Sequence, residues 1–450
     1  MLRSRGSRSA RTSIVPVAVV VFSIAGCAGS DDAADELADE PTSDTAAAAD
    51  TTGMSAATDP VTTPVADAPT SSLDEPSTTV EPEPSTTVAP EPDPSTTAAP
   101  DPDPSAERDF SAIDPIVQAY VDENGLNGAG LIVVDADDGV VHEDYWGEFD
   151  EDRISLVASS SKSIVAGILL NLDDRGLLDL DAPVADVVDW GAGNPDITPA
   201  QLVSNSSGLV GLLPDPAYGP YVCQFVPTGS LQACAEEVFT TSGDDADVIA
   251  PDTEFRYGGA QWQVAGAVAE VASGRSWDEL VDEIYVEPCG LETLSFNNHF
   301  TQIGTGGFDY PAEFDGDPSV LVETDNPNME GGAYVTTGDY AELLLMQLRG
   351  GMCGDTQVLS PEALATMHGD RIGDVYGGEA FSPDSGYGMG WWVDRTTGRL
   401  TDPGAYGAVP WLDLKAGHGA FLVVESDAET GSALAAQLYD VVDAAFAAGG

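Results

Sequence analysis

"SLVASSSKSIVAGILLNLDDRG", residues 155–176, holds the first of only two lysines in a chain of 450 residues. The other is Lys415, and arginine supplies every remaining side-chain cation. If a cation were wanted only for solubility or a surface ion pair, this chain would use Arg here as it does elsewhere. Lysine can lose its proton when buried and act as a base, which Arg cannot. Lys162 follows Ser159 by three positions, and Ile164, Val165, Ile168, Leu169 and Leu172 fall on one face of a helix that Gly176 can end. Ser159 at the start of that helix meets free backbone N–H groups, which favour developing negative charge. Lys162 lies one turn further along and can reach the serine oxygen. A serine hydroxyl becomes a competent nucleophile when a neighbouring base takes its proton.

Around this helix the chain alternates strand and helix signals. A short helix is expected near "DPIVQAYVDEN" (114–124), then two β-rich segments around Asp138-Gly139 in "GLIVVDADDGVVHEDYWG" (130–147). Further helices are expected at 260–273, ending at Gly274, at about 277–286, at 338–349 with Thr337 as N-cap, and at about 431–447. Three strand-like pieces precede the last helix: "GYGMGWWVDR", "RLTDPGAYGAVPWLDL" and "HGAFLVVES". An α+β fold follows: an antiparallel sheet gathers the first and last strands, helices flank it, and a mostly helical lobe is inserted between them.

The folded part is expected to span residues 110–450. Ahead of it, residues 1–27 carry four arginines, an apolar run from Ile14 to Ala25 and the ending "SIAGC" at Cys27. That is the shape of a secretory signal, too short for a comfortable transmembrane helix. "SIAGC" resembles a bacterial lipobox, so the expectation is an exported protein, lipid-anchored through Cys27 to the outer face of the cell membrane. Residues 28–109 are mostly Ala, Asp, Glu, Thr, Ser and Pro with almost no large apolar residue, and "PSTT" recurs at 76–79, 84–87 and 94–97. Such a segment cannot bury enough apolar surface to offset its chain entropy and reads as an extended stalk.

The formal net charge is −62. The folded part holds 57 acids against eight Arg and two Lys, so the acidity belongs to its surface as well as to the stalk. Nucleic-acid binding needs the opposite sign and is excluded. Cys223, Cys234, Cys289 and Cys353 allow two disulfides in three connectivities. The short spacing favours Cys223 with Cys234, leaving Cys289 with Cys353 to tie two helix ends of the lobe. With no C-x-x-C and with histidines scattered at 142, 299, 368 and 418, the spacing points to no metal site, and no cofactor is expected. A His418-based triad fails as well, because the chain has no G-x-S-x-G elbow.

The stretch "VASSSKSIVAGILLNLDDRGLLDLDAPVADVV" (157–188) resembles the active-site segment of the serine β-lactamase and penicillin-binding superfamily, especially its class C β-lactamase, D-aminopeptidase and esterase branch. The similarity continues in order through "ITPAQLVSNSSGLVG" (197–211), "FRYGGAQWQVAGAVAEVASGRSWDELVDEIYVEPCGL" (255–291), "MEGGAYVTTGDYAELLLMQLRGG" (329–351) and "SGYGMGWWV" (385–393). It implies the β-lactamase/transpeptidase-like fold and an acyl-enzyme on Ser159, with Lys162 and Tyr257 moving protons. A lysine ammonium beside Tyr257 should lower its pKa.

Two departures from the pattern stand out. The asparagine expected two residues after the tyrosine is Gly259, and the Lys or His of the third motif is missing. "DPGAYGAVPW" (402–411) fits the strand lining the site, leaving Ala405 where that cation stands, while Lys415 falls in a hairpin bend. The resemblance then places Gly259, Tyr406 and Gly407 against substrate, and the backbone N–H groups of Ser159 and Ala408 in an oxyanion hole. Both departures weaken recognition of a β-lactam or peptide carboxylate. A small-molecule or peptidic ester or amide is the expected acyl substrate, with a D-Ala-peptide hydrolase, a weak β-lactamase or a non-catalytic surface binder as alternatives.

Overall fold

The computed structural model describes residues 108–212, 219–304 and 307–448. The expected leader with Cys27, and the stalk as far as Glu107, lie outside these residues. Among the described residues no helix is long and apolar enough to cross a membrane.

Strand β1 (Gly128–Asp135) is buried along its whole length. Side chains alternate across a strand, so Leu131 and Val133 face one layer while Ile132 and Val134 face the other. A sheet that is apolar on both faces needs helices on both. On one side, α1 (Ile113–Asn124) brings Ile113, Val117 and Val121 to this sheet. On the other side the helix over Thr337–Leu348 lies against β1, with Thr337 beside Gly130, and α2 (Lys162–Asp174) adds Val165, Leu169 and Leu172 to the same core.

β1 turns into β2 (Gly139–Gly147) at Asp138-Gly139, where Gly139 takes φ 82°. The remaining strands are β3 (Ser155–Leu156), β4 (Ser295–Phe296), β5 (Ala333–Val335), β6 (Met352–Cys353), β7 (Thr356–Gln357) and β8 (Ser385–Tyr387). Then come β9 (Trp392–Asp394), β10 (Leu400–Thr401), β11 (Ala408–Asp413) and β12 (His418–Val423). The main sheet runs β2-β1-β12-β11-β10-β9-β8, every neighbouring pair antiparallel. First and last strands therefore meet, as the sequence implies. The C-terminal part supplies five strands rather than the expected three, because Gly388–Gly390 and the turn at 403–407 each break a long apolar piece in two.

A small sheet, β3-β5-β4, leads the chain into the nucleophile segment. Between β3 and β4 in sequence lies the helical lobe, centred on α3 (Ala260–Ser273), which ends at Gly274 in the left-handed region. The expected helix at 277–286 is α-helical over Trp277–Val281 and a π-turn over Asp282–Val286. Thr336, not Thr337, caps α4 (Thr337–Leu348) by accepting the Asp339 N–H. The last helix, α5 (Ala428–Ala448), lays Leu434, Leu438 and Val442 beside α1. Cys223 pairs with Cys234 and Cys289 with Cys353. The second bridge joins a helix end to β6 rather than two helix ends.

Candidate active site

Three consecutive serines precede Lys162, and the fold treats them differently. Ser160 and Ser161 are fully buried, whereas Ser159 keeps part of its surface. Ser160 Oγ donates to the Asp402 carbonyl at 2.6 Å. Ser161 Oγ donates to the Ala158 carbonyl at 2.6 Å and accepts the Ala333 N–H at 3.0 Å. Both hydroxyls are committed to structure; Ser159 is the serine left for chemistry. The residue before it, Ala158, sits at φ 43°, a left-handed conformation costly for a side chain with a Cβ. The neighbouring bond from Val157 N–H to the Ala333 carbonyl, 3.1 Å, helps hold that turn. The chain passes Ser159 in a 3-10 turn, Ala158–Ser161, and the α-helix proper begins at Lys162.

Lys162 is fully buried. Its Nζ donates to Ser159 Oγ at 3.1 Å and to the Glu330 carbonyl at 2.8 Å, and lies 3.6 Å from Glu330 Oε2. Tyr257 arrives from the loop before α3 and donates its hydroxyl to Ser159 Oγ at 2.9 Å. The stretch "SNSSGLVG" (204–211) and Leu212 after it hold that loop: Leu212 N–H donates to the Tyr257 carbonyl at 2.7 Å and Arg256 N–H to the Asn205 carbonyl at 2.8 Å. Asn205 Oδ1 in turn accepts from Gln261 and Trp262 of α3. The Lys162 ammonium also lies 4.8 Å from the Tyr257 ring centroid and 5.8 Å from that of Trp262.

The protonation pattern differs from the expectation. Burial pulls Lys162 down, but Tyr257, Glu330 and Asp402 together outweigh it and hold the ammonium above its ordinary value. Tyr257 is pushed up by burial, which the facing Lys162 only partly offsets. The resting site therefore presents two protonated donors to Ser159 Oγ, not a free lysine base or a phenolate.

Two buried acids complete the surroundings, and sequence reasoning passed over both. Glu330 stands in "MEGGAY", where nothing in the spacing marks it. Asp402 is fully buried at the entry to the turn before β11, and burial drives its carboxyl well above the carboxylate range. A signal for Asp402 existed in the unusual "DPG" preceding the tyrosine-glycine pair. Gly259 is buried ahead of α3, and a Cβ there would lie 2.1 Å from the Glu330 carboxyl carbon.

The turn from 403 to 407 brings the third-motif segment against the nucleophile turn. Gly404 passes so close that a Cβ would come 2.0 Å from the Val157 carbonyl oxygen. Ala405 is partly exposed at the turn, where the expected cation is absent. Tyr406 is buried, its ring 5.5 Å from His299 and 5.2 Å from Tyr310. Gly407 takes φ 86° and leads into Ala408, which lies opposite Val423 at the start of β11. Tyr406 thus packs in an aromatic cluster with His299, Phe300 and Tyr310, and Gly407 makes the turn into β11. Lys415 is exposed in the β11–β12 bend, as expected. His418 opens β12 and faces Asp443 and Phe446 of α5. Beside Tyr257 stands an aromatic wall: Trp392 lies 5.3 Å away and stacks at 4.7 Å on Phe381, which is 57% exposed.

The family model "Beta-lactamase" matches residues 113–444. The chain is 26% identical over 329 residues to "Penicillin-binding protein 4" of Amycolatopsis lactamdurans, covering 66% of this chain and 80% of that one. A putative β-lactamase from Bacteroides dorei DSM 17855 superposes with TM-score 0.59 at 25% identity, over 75% of this chain and 99% of that chain. EstCE1, titled a hydrolase with promiscuous acyltransferase activity, superposes with TM-score 0.61 at 20% identity, over 75% and 99%. The chain belongs to the beta-lactamase family, and the enzyme is a β-lactamase-related serine hydrolase.

Proposed function

We propose that this enzyme hydrolyses esters or amides through an acyl-enzyme on Ser159. The observation that carries this is the convergence of Lys162 Nζ and Tyr257 OH on the one partly exposed serine oxygen. The competent form is the Lys162–Tyr257 pair with one proton fewer. In it Ser159 Oγ attacks the acyl carbonyl, its proton passes to the pair, and the pair returns a proton to the leaving oxygen or nitrogen. Water then repeats the sequence on the acyl-serine and frees the acid. The tetrahedral oxyanion meets the Ser159 N–H and a second backbone donor from the 405–408 turn. The sequence assigns that donor to Ala408; Ala405, partly exposed where Ala408 is fully buried, is the competing group.

Substrates are neutral rather than carboxylate-bearing. Ala405 offers no cation to a carboxylate, and Phe381 with Trp392 offers apolar contact. The penicillin-binding relative keeps a D-Ala-peptide hydrolase or weak β-lactamase activity as the second reading. Export and a lipid anchor at Cys27 belong to the same proposal and rest on the signal-like residues 1–27. A fluorophosphonate and a penicillin label, each followed by peptide mapping, test the mechanism. Modification at Ser159 by the fluorophosphonate is expected, with weak or no reaction with penicillin. Fluorophosphonate on a different residue, or a fast and stable penicillin adduct, would overturn the corresponding part.

A further inference from the structure

Lys162 has one carboxylate at ion-pair distance among the described residues, Glu330, 3.6 Å away. The Glu330 carboxyl occupies space that belongs, geometrically, to a side chain at position 259. A Cβ built on Gly259 would stand 2.1 Å from both Cδ and Oε1 of Glu330, and 2.3 Å from Gln224 Oε1. Only glycine at 259 lets the carboxyl reach this place. The site is closed: Glu330 is 7% exposed and Gln224 4% exposed, and Gln224 Oε1 is buried without a hydrogen-bond partner. The backbone of Glu330 supplies the second contact, accepting from Nζ at 2.8 Å. The ammonium is thus gripped by one residue through both its carbonyl and its carboxylate.

We infer that Gly259 and Glu330 form an interlocked pair in which the absent side chain at 259 admits a carboxylate that positions Lys162 and sets its charge. Glu330 is a positioning residue: it acts on Ser159 only through the lysine. The volume that the sequence resemblance assigns to a neutral amide is filled here by an anion neutralised within the enzyme, so it offers substrate no amide. The role in acylation rests on Ser159 being the nucleophile; the coupling to Lys162 does not.

That difference makes the two separable by experiment. The chain has only two lysines, so protein carrying 13C at lysine Cε gives two signals, with exposed Lys415 as internal reference. Lys162 is faced by Glu330, Tyr257 and Asp402, and Glu330 in turn acts on Tyr406. Replacing Glu330 by Gln keeps shape and removes the charge, leaving the other three groups in place. The Lys162 titration midpoint is expected to fall by roughly 1–3 units, with Lys415 unmoved. An unmoved Lys162 signal overturns the pairing, whatever residue the fluorophosphonate labels.

The second arm measures the fluorophosphonate reaction across pH with melting temperature in parallel. Glu330→Gln should move the alkaline rise of the profile to lower pH. Gly259→Asn collides with the carboxyl and should slow the reaction at least tenfold. Combining Gly259→Asn with Glu330→Ala should restore much of the rate, because the new amide can donate to Gln224 Oε1 and offer its oxygen to Lys162. A double variant no faster than Gly259→Asn alone, with both folded, overturns the interlock.

Discussion

The Ser160 hydroxyl is bonded to the carbonyl oxygen of Asp402 at 2.6 Å across 242 residues of sequence. That contact ties the nucleophile turn to the segment entering β11, and the Gly404–Val157 approach sits beside it. Ser160→Ala would leave the buried Asp402 carbonyl without this donor and should cost about 1–3 kcal/mol of stability. Fluorophosphonate labelling of Ser159 should survive. Unchanged denaturation midpoint together with lost labelling would assign Ser160, not Ser159, to the chemistry.

Lys162→Arg keeps the charge but cannot accept the serine proton, because the guanidinium stays protonated above pH 12. The variant should lose about 10²–10⁴ in acylation rate. Lys415→Arg, in an exposed bend, should match wild type. Comparing the labelling rates of the two variants checks the assignment, and a silent Lys162→Arg would break it.

Acylation should rise with pH. The pair must lose a proton to accept one from Ser159, and both Lys162 and Tyr257 are held above their ordinary values. Since those ordinary values are about 10 or higher, kcat/KM for a neutral ester should still be climbing at about pH 9. A profile that peaks near neutrality and falls again would contradict the protonated resting pair.

Stability should move the opposite way. Burial raises Asp402, Glu330, Asp244, Glu270 and Asp278 above their unfolded values, so the folded state binds more protons than the unfolded one over that window. These five acids favour folding as pH falls from neutral towards the unfolded carboxylate values of about 4. Buried His299 and His368, held down to about 3 and about 4, oppose it once pH drops below the unfolded imidazole value of about 6.5. Asp252 works in reverse: burial opposes its charge, but Arg371 and Gln201 hold it below its ordinary value, so its contribution disappears only in stronger acid. Melting temperature should hold or rise between pH 8 and about pH 7, where the raised acids act alone, and should fall steeply below about pH 4, where the histidines and Asp252 both act against folding. A melting temperature that already declines from pH 8 to about pH 7, before histidine protonation sets in, would show that these acids titrate normally.

Cys27→Ser should release the protein from the membrane fraction or leave it unprocessed. Detergent partitioning of both forms from the native host checks this. Equal retention of the two would remove the lipid anchor.

Local physics made much of this protein legible in its sequence. Ser159 and Lys162 meet because three residues make one helical turn, whatever surrounds them. Asp138-Gly139 makes its hairpin, Gly274 stops its helix, and the short Cys223–Cys234 loop closes on itself for equally local reasons. Tyr257 was reachable only through a resemblance, since 98 residues separate it from Ser159. What tertiary structure alone decided is the environment of that helical turn. It buried Ser160 and Ser161 against Asp402 and Ala333, filled the space above Gly259 with Glu330, and placed Asp402 within electrostatic reach of Lys162. The sign of a buried lysine's pKa shift depends on which charges share its cavity, and those charges come from segments whose positions no period or spacing encodes. Burial alone would have made Lys162 a ready base; its neighbours from distant segments made it an ammonium.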